Sequence, residues 1–199
     1  MDRMDEKDVQ MSLPWMGMSV RRARRILILG CPGSGKSTVA KQLASLTRLP
    51  RISLDDLYWG KGWARPTDTV FRAHLMQTLV KPCWILEGNY LHLYLEERID
   101  AADTIIYLDV PTTVALIGVL NRSLRRLAGD RSTLPARVAE DPRYRPRWEL
   151  RPHLLWLVLA YRKRMRPGLM ARLAGLRDPK QVLILRSRRE VHALTGQLV

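Results

Sequence analysis

Long apolar runs are missing from this 199-residue chain: none approaches the roughly 18 uninterrupted apolar residues of a membrane-crossing helix, which excludes a membrane span. Cysteine is scarce. Cys31 and Cys83 alone make no disulfide framework, and they suit a reducing, cytoplasmic compartment. The four histidines, His74, His92, His153 and His192, stand apart without metal-ligand spacing, which argues against a histidine metal centre. No internal repeat is visible, so solenoid architectures are set aside. The start, M-D-R-M-D-E-K-D, lacks the basic and apolar regions of a signal peptide. Residues 1–20 have no clean period and read as a loose tail, with Met18 as an alternative translation start.

Acidic residues are also in short supply, 19 against 34 Lys/Arg, for a net charge of +15. The shortage is local. Residues 1–120 carry 15 basic against 13 acidic groups, whereas residues 121–189 carry 19 against 5. Nearly all of that excess is arginine, whose planar fork grips phosphate oxygens in pairs. The block at 121–189 therefore fits phosphate recognition, and it equally fits nucleic acid or an anionic membrane surface.

What is present centres on R-I-L-I-L-G-C-P-G-S-G-K-S-T, from Arg25 to Thr38. Ile26 to Leu29 suit a strand buried on both faces. A glycine-rich turn follows, and Val39, Leu43 and Leu46 then recur at helical spacing. This is G-x-x-x-x-G-K-[ST] in the strand–loop–helix setting the motif requires. Its chemistry is the unpaired amides and positive dipole end of a helix start, which bind phosphate oxygens. Gly30, Cys31, Pro32, Gly33, Ser34, Gly35, Lys36, Ser37 and Thr38 form the expected cradle, its glycines letting the backbone approach the ligand. Lys36 is expected at the β- and γ-phosphates and the Ser37 hydroxyl on Mg²⁺, with ATP as the nucleotide.

Further strands are expected at 49–54, 83–86, 104–108 and 181–185, with helices at about 36–47, 67–79, 112–127, 153–161 and 188–198. The stretch 57–66 reads as a loop, and 153–161 as a core helix with a solvated basic end. Strands alternating with helices imply a parallel sheet with right-handed crossovers. Residues 21–199 read as one domain with a mobile insertion at about 129–147.

In such a sheet, ligands sit beyond the carboxyl ends of the strands, where Asp55-Asp56, Glu87 and Asp109 fall. Asp55 is expected to bind the acceptor or take its proton, and Glu87 to serve the metal's water shell. Asp56 and Asp109 read better as turn or helix caps. Trp59 and Trp63 either pack or stack on a flat acceptor. Arg122 and Arg126, one helical turn apart before the insertion, suit a lid that neutralises charge on the transferred group.

G-x-x-G-x-G-K-[ST], W-I-L-E-G-N-Y and A-D-T-I-I-Y-L-D-V-P with an arginine-bearing helix resemble the adenylate-kinase-like, or nucleoside monophosphate kinase, branch of P-loop kinases. L-D-D-L-Y-W-x-x-x-W, I-L-E-G-N-Y and V-L-I-L-R-S-R-R-E-V resemble more closely the small bacterial FlaR-related topology modulation proteins. The resemblance runs from about residue 24 to the C-terminus. It implies a three-layer α/β/α P-loop NTPase fold with a five-stranded parallel sheet, ATP, Mg²⁺ and an arginine-rich lid. It also implies that the loop at Arg186 to Arg188 contacts adenine and that Glu87 serves the metal. Adenylate kinases carry D-G-F-P-R after the third strand and this chain has E-G-N-Y, which leaves the acceptor open. The expected activity is ATP-dependent transfer of phosphate to a small molecule or nucleotide. The alternatives are a nucleic-acid-associated ATPase and a nucleotide-binding protein without efficient chemistry.

Overall fold

Alternate residues of each strand face opposite sides of a sheet, and here both sides are apolar. Leu27 and Leu29 of β1 (Arg25–Gly30) lie on one side while Ile26 and Ile28 lie on the other, all fully buried. The computed structural model describes residues 20, 22–146, 152–176 and 181–198. The tail expected at residues 1–20 lies, apart from Val20, outside them. β1 is followed by α1 (Lys36–Thr47), β2 (Arg51–Ser53), α2 (Leu54–Tyr58), a single 3-10 turn (Lys61–Trp63) and α3 (Asp68–Leu79). Next come β3 (Trp84–Glu87), α4 (Leu95–Ala101), β4 (Thr104–Leu108), α5 (Thr112–Leu127), α6 (Ala136–Ala139) and α7 (Pro152–Ala160). A widened π turn (Tyr161–Met165), α8 (Arg166–Ala174), β5 (Gln181–Leu185) and α9 (Arg188–Gly196) complete the chain.

All five strands pair in parallel in the order β2-β3-β1-β4-β5. The chain passes from β1 outward to β2, returns through β3 and crosses to β4, so β1 is central and the crevice opens beyond its carboxyl end. One side of the sheet is covered by Val39, Ala40 and Leu43 of α1 with Leu194 of α9. The other is covered by Phe71 and Leu75 of α3, Ile99 of α4, Ala115 and Val119 of α5, and Leu169 and Leu173 of α8. The expected three-layer α/β/α architecture is the one observed.

Several local expectations are corrected. β2 is shorter than 49–54 because Ser53 turns the chain, its hydroxyl accepting from Asp55 N and capping α2. Part of the expected loop 57–66 is therefore helical. α4 was not anticipated; its seven residues are too few to show a period. Beyond 153–161 the backbone stays helical through the π turn into α8, and the expected core helix is half-embedded: Val158 and Tyr161 are buried while Trp156 and Leu159 are exposed.

The insertion, expected to be mobile, has bonded structure in its described part. Asp56 Oδ1 accepts from Ala136 N at 2.7 Å and Asp141 Oδ2 from Gly62 N at 2.8 Å. Asp56 thus caps a helix start, but that of α6, 80 positions away. Part of the basic block is also used internally. Arg131 donates to Ala139 O and lies over Tyr144, Arg164 lies over Trp156, and Arg172 pairs with Glu96. Among the described residues no helix is long and apolar enough to cross a membrane.

Candidate active site

The turn after β1 wraps tightly because three of its glycines have positive φ: 151° at Gly30, 81° at Gly33 and 96° at Gly35. Gly35 is the N-cap of α1 and offers no side-chain cap, so the first-turn amides of α1 are left for a ligand. Two observations fit a phosphate there. A Cβ on Gly35 would meet nothing within 4 Å, and Ser34 Oγ is buried without a hydrogen-bond partner. Gly33 carries a second constraint besides the expected approach to a ligand. A Cβ on it would lie 2.1 Å from Ala115 O and 2.8 Å from Val119 Cγ2, so the backbone here packs directly on α5.

Lys36 curls over the turn, donating from Nζ to Gly30 O and Cys31 O, each at 2.9 Å. Burial lowers its pKa from the ordinary 10.5, and the charges of Glu87 and Asp55 work against that shift. Cys31, buried beside it, has its thiol pushed up to about 11, which keeps it protonated and unreactive. Ser37 Oγ donates to Glu87 Oε2 at 3.1 Å. Register explains this: Glu87 ends β3 opposite Ile28 and Ser53, just below the turn. The other carboxylate oxygen of Glu87 takes Arg51 Nη2 at 2.9 Å. A serine hydroxyl beside a carboxylate is hard oxygen chemistry suited to Mg²⁺, which keeps most of its waters. Among the described residues no cluster of His, Cys, Asp and Glu forms an all-protein metal cage.

Asp55 sits exposed on the first turn of α2, at the end of β2, and accepts from the Tyr90 hydroxyl at 2.6 Å. Its charge and that of Glu87 act on Arg122 of α5, whose pKa is lowered by burial and partly restored by the two acids. Lys36, Asp55, Glu87 and Arg122 therefore share one electrostatic neighbourhood. Arg126 lies next to Arg122, and burial followed by that repulsion lowers its pKa to about 10. Its guanidinium braces the base of the insertion, through Nε to Thr133 Oγ1 at 2.8 Å and Nη2 to Thr133 O.

Asp109 corrects its reading as a cap. At the end of β4 it is 6% exposed and takes both arms of Arg166, Nε and Nη2, each at 2.8 Å. That fork ties the start of α8 to the sheet. Arg186 follows the neighbouring end of β5, its Nε 4.0 Å from Asp109 Oδ2. Arg188 is exposed at the start of α9, where Ser187 Oγ accepts from Glu190 N. Trp59 and Trp63 meet edge-on at 5.3 Å, with Arg65 lying 5.4 Å over Trp59.

Sequence reasoning passed over Arg51, Tyr90, Arg98 and Arg166. Tyr90 stood inside the quoted E-G-N-Y motif, which was the one usable signal. Arg51 and Arg166 have partners 36 and 57 positions away, and the partners of Arg98, though close along the chain, are backbone carbonyls that leave no sequence signal.

No protein-family model matches the chain. Adenylate kinase 2 of Nostoc sp. is 31% identical to it over 128 residues, spanning 50% of this chain and 70% of that protein. Among solved structures, shikimate kinase from Acinetobacter baumannii in complex with shikimate has a TM-score of 0.50 at 13% identity, covering 92% of this chain and 94% of that one. Shikimate kinase from Bacteroides thetaiotaomicron has a TM-score of 0.50 at 17% identity, covering 88% and 96%. At these identities the structures speak for the fold alone. The P-loop kinase side of the sequence resemblance is supported, and the topology modulation side receives no support.

Proposed function

From the premise that this chain belongs to the adenylate kinase family of P-loop kinases, we propose that it transfers the γ-phosphate of ATP to a hydroxyl of a small acceptor bound beside Asp55. The observation that carries this is that the Lys36 turn, its Ser37 bonded to Glu87 at the end of β3, adjoins the end of β2 where Asp55 stands, with Arg122 of α5 under the charge of both acids. The first-turn amides of α1 and the Ser34 hydroxyl bind phosphate oxygens, and Lys36 exchanges its two carbonyl partners for them. Mg²⁺, when bound with the nucleotide, supplies charge neutralisation at the phosphates. Ser37 and Glu87 would hold it, Glu87 through water, with Arg51 fixing the Glu87 carboxylate. Asp55 accepts the proton of the acceptor hydroxyl as its oxygen bonds to phosphorus and the bond to the β-phosphate oxygen breaks. Arg122, and Arg126 behind it, offset the charge on the transferred group. Arg186 and Arg188 border the adenine side.

The test is a screen of nucleotides and small hydroxyl compounds for ATP-dependent phosphorylation. Replacing Asp55 by Asn and Glu87 by Gln should each lower turnover roughly 10²-fold or more with little change in ATP affinity. Unchanged turnover in either removes that residue's role. Lys36 adds a pH prediction. Because burial lowers its pKa, nucleotide binding restores a proton to it. Calorimetry in two buffers of different ionisation enthalpy should therefore show proton uptake on MgATP binding, in the alkaline range below the ordinary 10.5. Binding without uptake there would mean that Lys36 does not meet the phosphates.

A further inference from the structure

The bond from Tyr90 to Asp55 comes from an unusual stretch of backbone. Tyr90 has a φ of 28° and Tyr94 a φ of 50°, both in the left-handed region that non-glycine residues seldom occupy. Such a residue persists only where its surroundings determine it. Arg98 of α4 does the determining. Its side chain is fully buried, and its guanidinium is spent on the carbonyls of this one turn. Nη2 donates to Tyr90 O at 2.8 Å and Leu93 O at 3.0 Å, Nη1 and Nη2 to Asn89 O, and Nε to Tyr94 O. Burial lowers the Arg98 pKa to about 10, so it remains charged near neutrality.

The Tyr90 ring is gripped as well. Tyr58 lies 4.8 Å from it and packs edge-on against Phe71 at 5.4 Å. A phenylalanine would fill that space equally well, so packing gives no reason for the hydroxyl. Nor does α2 need the Asp55 carboxylate for capping, because Ser53 already caps it.

We infer that Tyr90 is a positioning residue for Asp55, set in place by the buried Arg98: its phenol fixes Oδ1 and leaves Oδ2 to meet the acceptor hydroxyl. This rests on the reading of Asp55 as the acceptor-side base. Burial and the nearby Asp55 charge hold the Tyr90 hydroxyl well above its ordinary ionisation range, so it stays a donor at working pH.

The experiment compares wild type, Tyr90→Phe, Asp55→Asn and the double variant. It measures kcat, KM for MgATP and melting temperature, with water as acceptor and with whichever compound the screen finds. Tyr90→Phe should lower kcat roughly tenfold, the worth of one charged hydrogen bond, with KM for MgATP and melting unchanged. In the Asp55→Asn background the same change should cost nothing further, because a positioning residue has no effect without the group it positions. Arg98→Lys, if it folds, should show the same pattern in milder form. Wild-type kcat in Asp55→Asn removes the base assignment itself. A damaged Asp55→Asn beside a normal Tyr90→Phe, or equal losses from Tyr90→Phe in both backgrounds, overturns the positioning role and leaves Asp55 standing. A fall in melting temperature that accounts for the lost kcat does the same. Wild type that turns over MgATP neither with water nor with any compound of the screen removes the kinase reading, and this role with it.

Discussion

Lys36→Ala should leave a folded protein whose phosphate transfer is lower by roughly 10³-fold. The side chain sits half-buried over the turn, its ammonium held by Gly30 O and Cys31 O at 2.9 Å. Those carbonyls are exchangeable partners, and Glu87 and Asp55 add attraction without contact. An ammonium in that state meets an incoming polyphosphate with little reorganisation, and it is the one cation that the turn itself supplies. Two effects compete in the variant. Loss of two hydrogen bonds costs about 1–3 kcal/mol of stability. Loss of a charge from a dry phosphate site costs as much or more, and only where phosphate is bound. Melting curves with and without MgATP separate them: wild type should shift upward on adding nucleotide, and the variant should shift far less. Near-normal turnover in Lys36→Ala would sink the phosphate-loop assignment and the acid and arginine roles built on it.

Gly118→Ala should destabilise the protein by about 1–3 kcal/mol, against the sign that helix propensity gives. Gly118 lies in the middle of α5, where alanine is favoured over glycine by about 1 kcal/mol. A Cβ there would stand 2.1 Å from Gly33 O, closer than any non-bonded contact allows. The obstructing atom is backbone, so no rotamer change relieves it. α5 or the phosphate turn must move, and the turn carries Lys36 and Ser37. The steric penalty therefore outweighs the propensity gain, and MgATP affinity should fall along with melting temperature. Gly33→Ala would strike α5 from the turn's side, at Ala115 O and Val119, with the added strain of a φ of 81°. A Gly118→Ala protein that melts higher and binds nucleotide normally would show that the two backbones do not lie in contact.

The basic block illustrates what composition leaves open. Its charge excess suits a surface for polyanions, and Arg131, Arg164, Arg166 and Arg172 contact groups of the protein itself. At Arg166 the fork satisfies both carboxylate oxygens of Asp109 at once, which a lysine could not do. A count of charges cannot tell such internal fixtures from a binding face.

The five strands, the phosphate turn and the helix behind it were determined by the sequence alone, because each depends on neighbours a few positions away: strand alternation, glycine at fixed offsets, a lysine and a hydroxyl at the start of a helix. The partners of the remaining polar groups were decided by the tertiary structure. Asp109 meets Arg166 across 57 positions, Asp56 meets Ala136 across 80, and Tyr90 meets Asp55 across 35. An isolated carboxylate reads the same whether it will cap a helix, anchor a guanidinium or face an acceptor. Its role follows from which element the sheet order and the crossovers bring beside it, and that approach leaves no local mark in the chain.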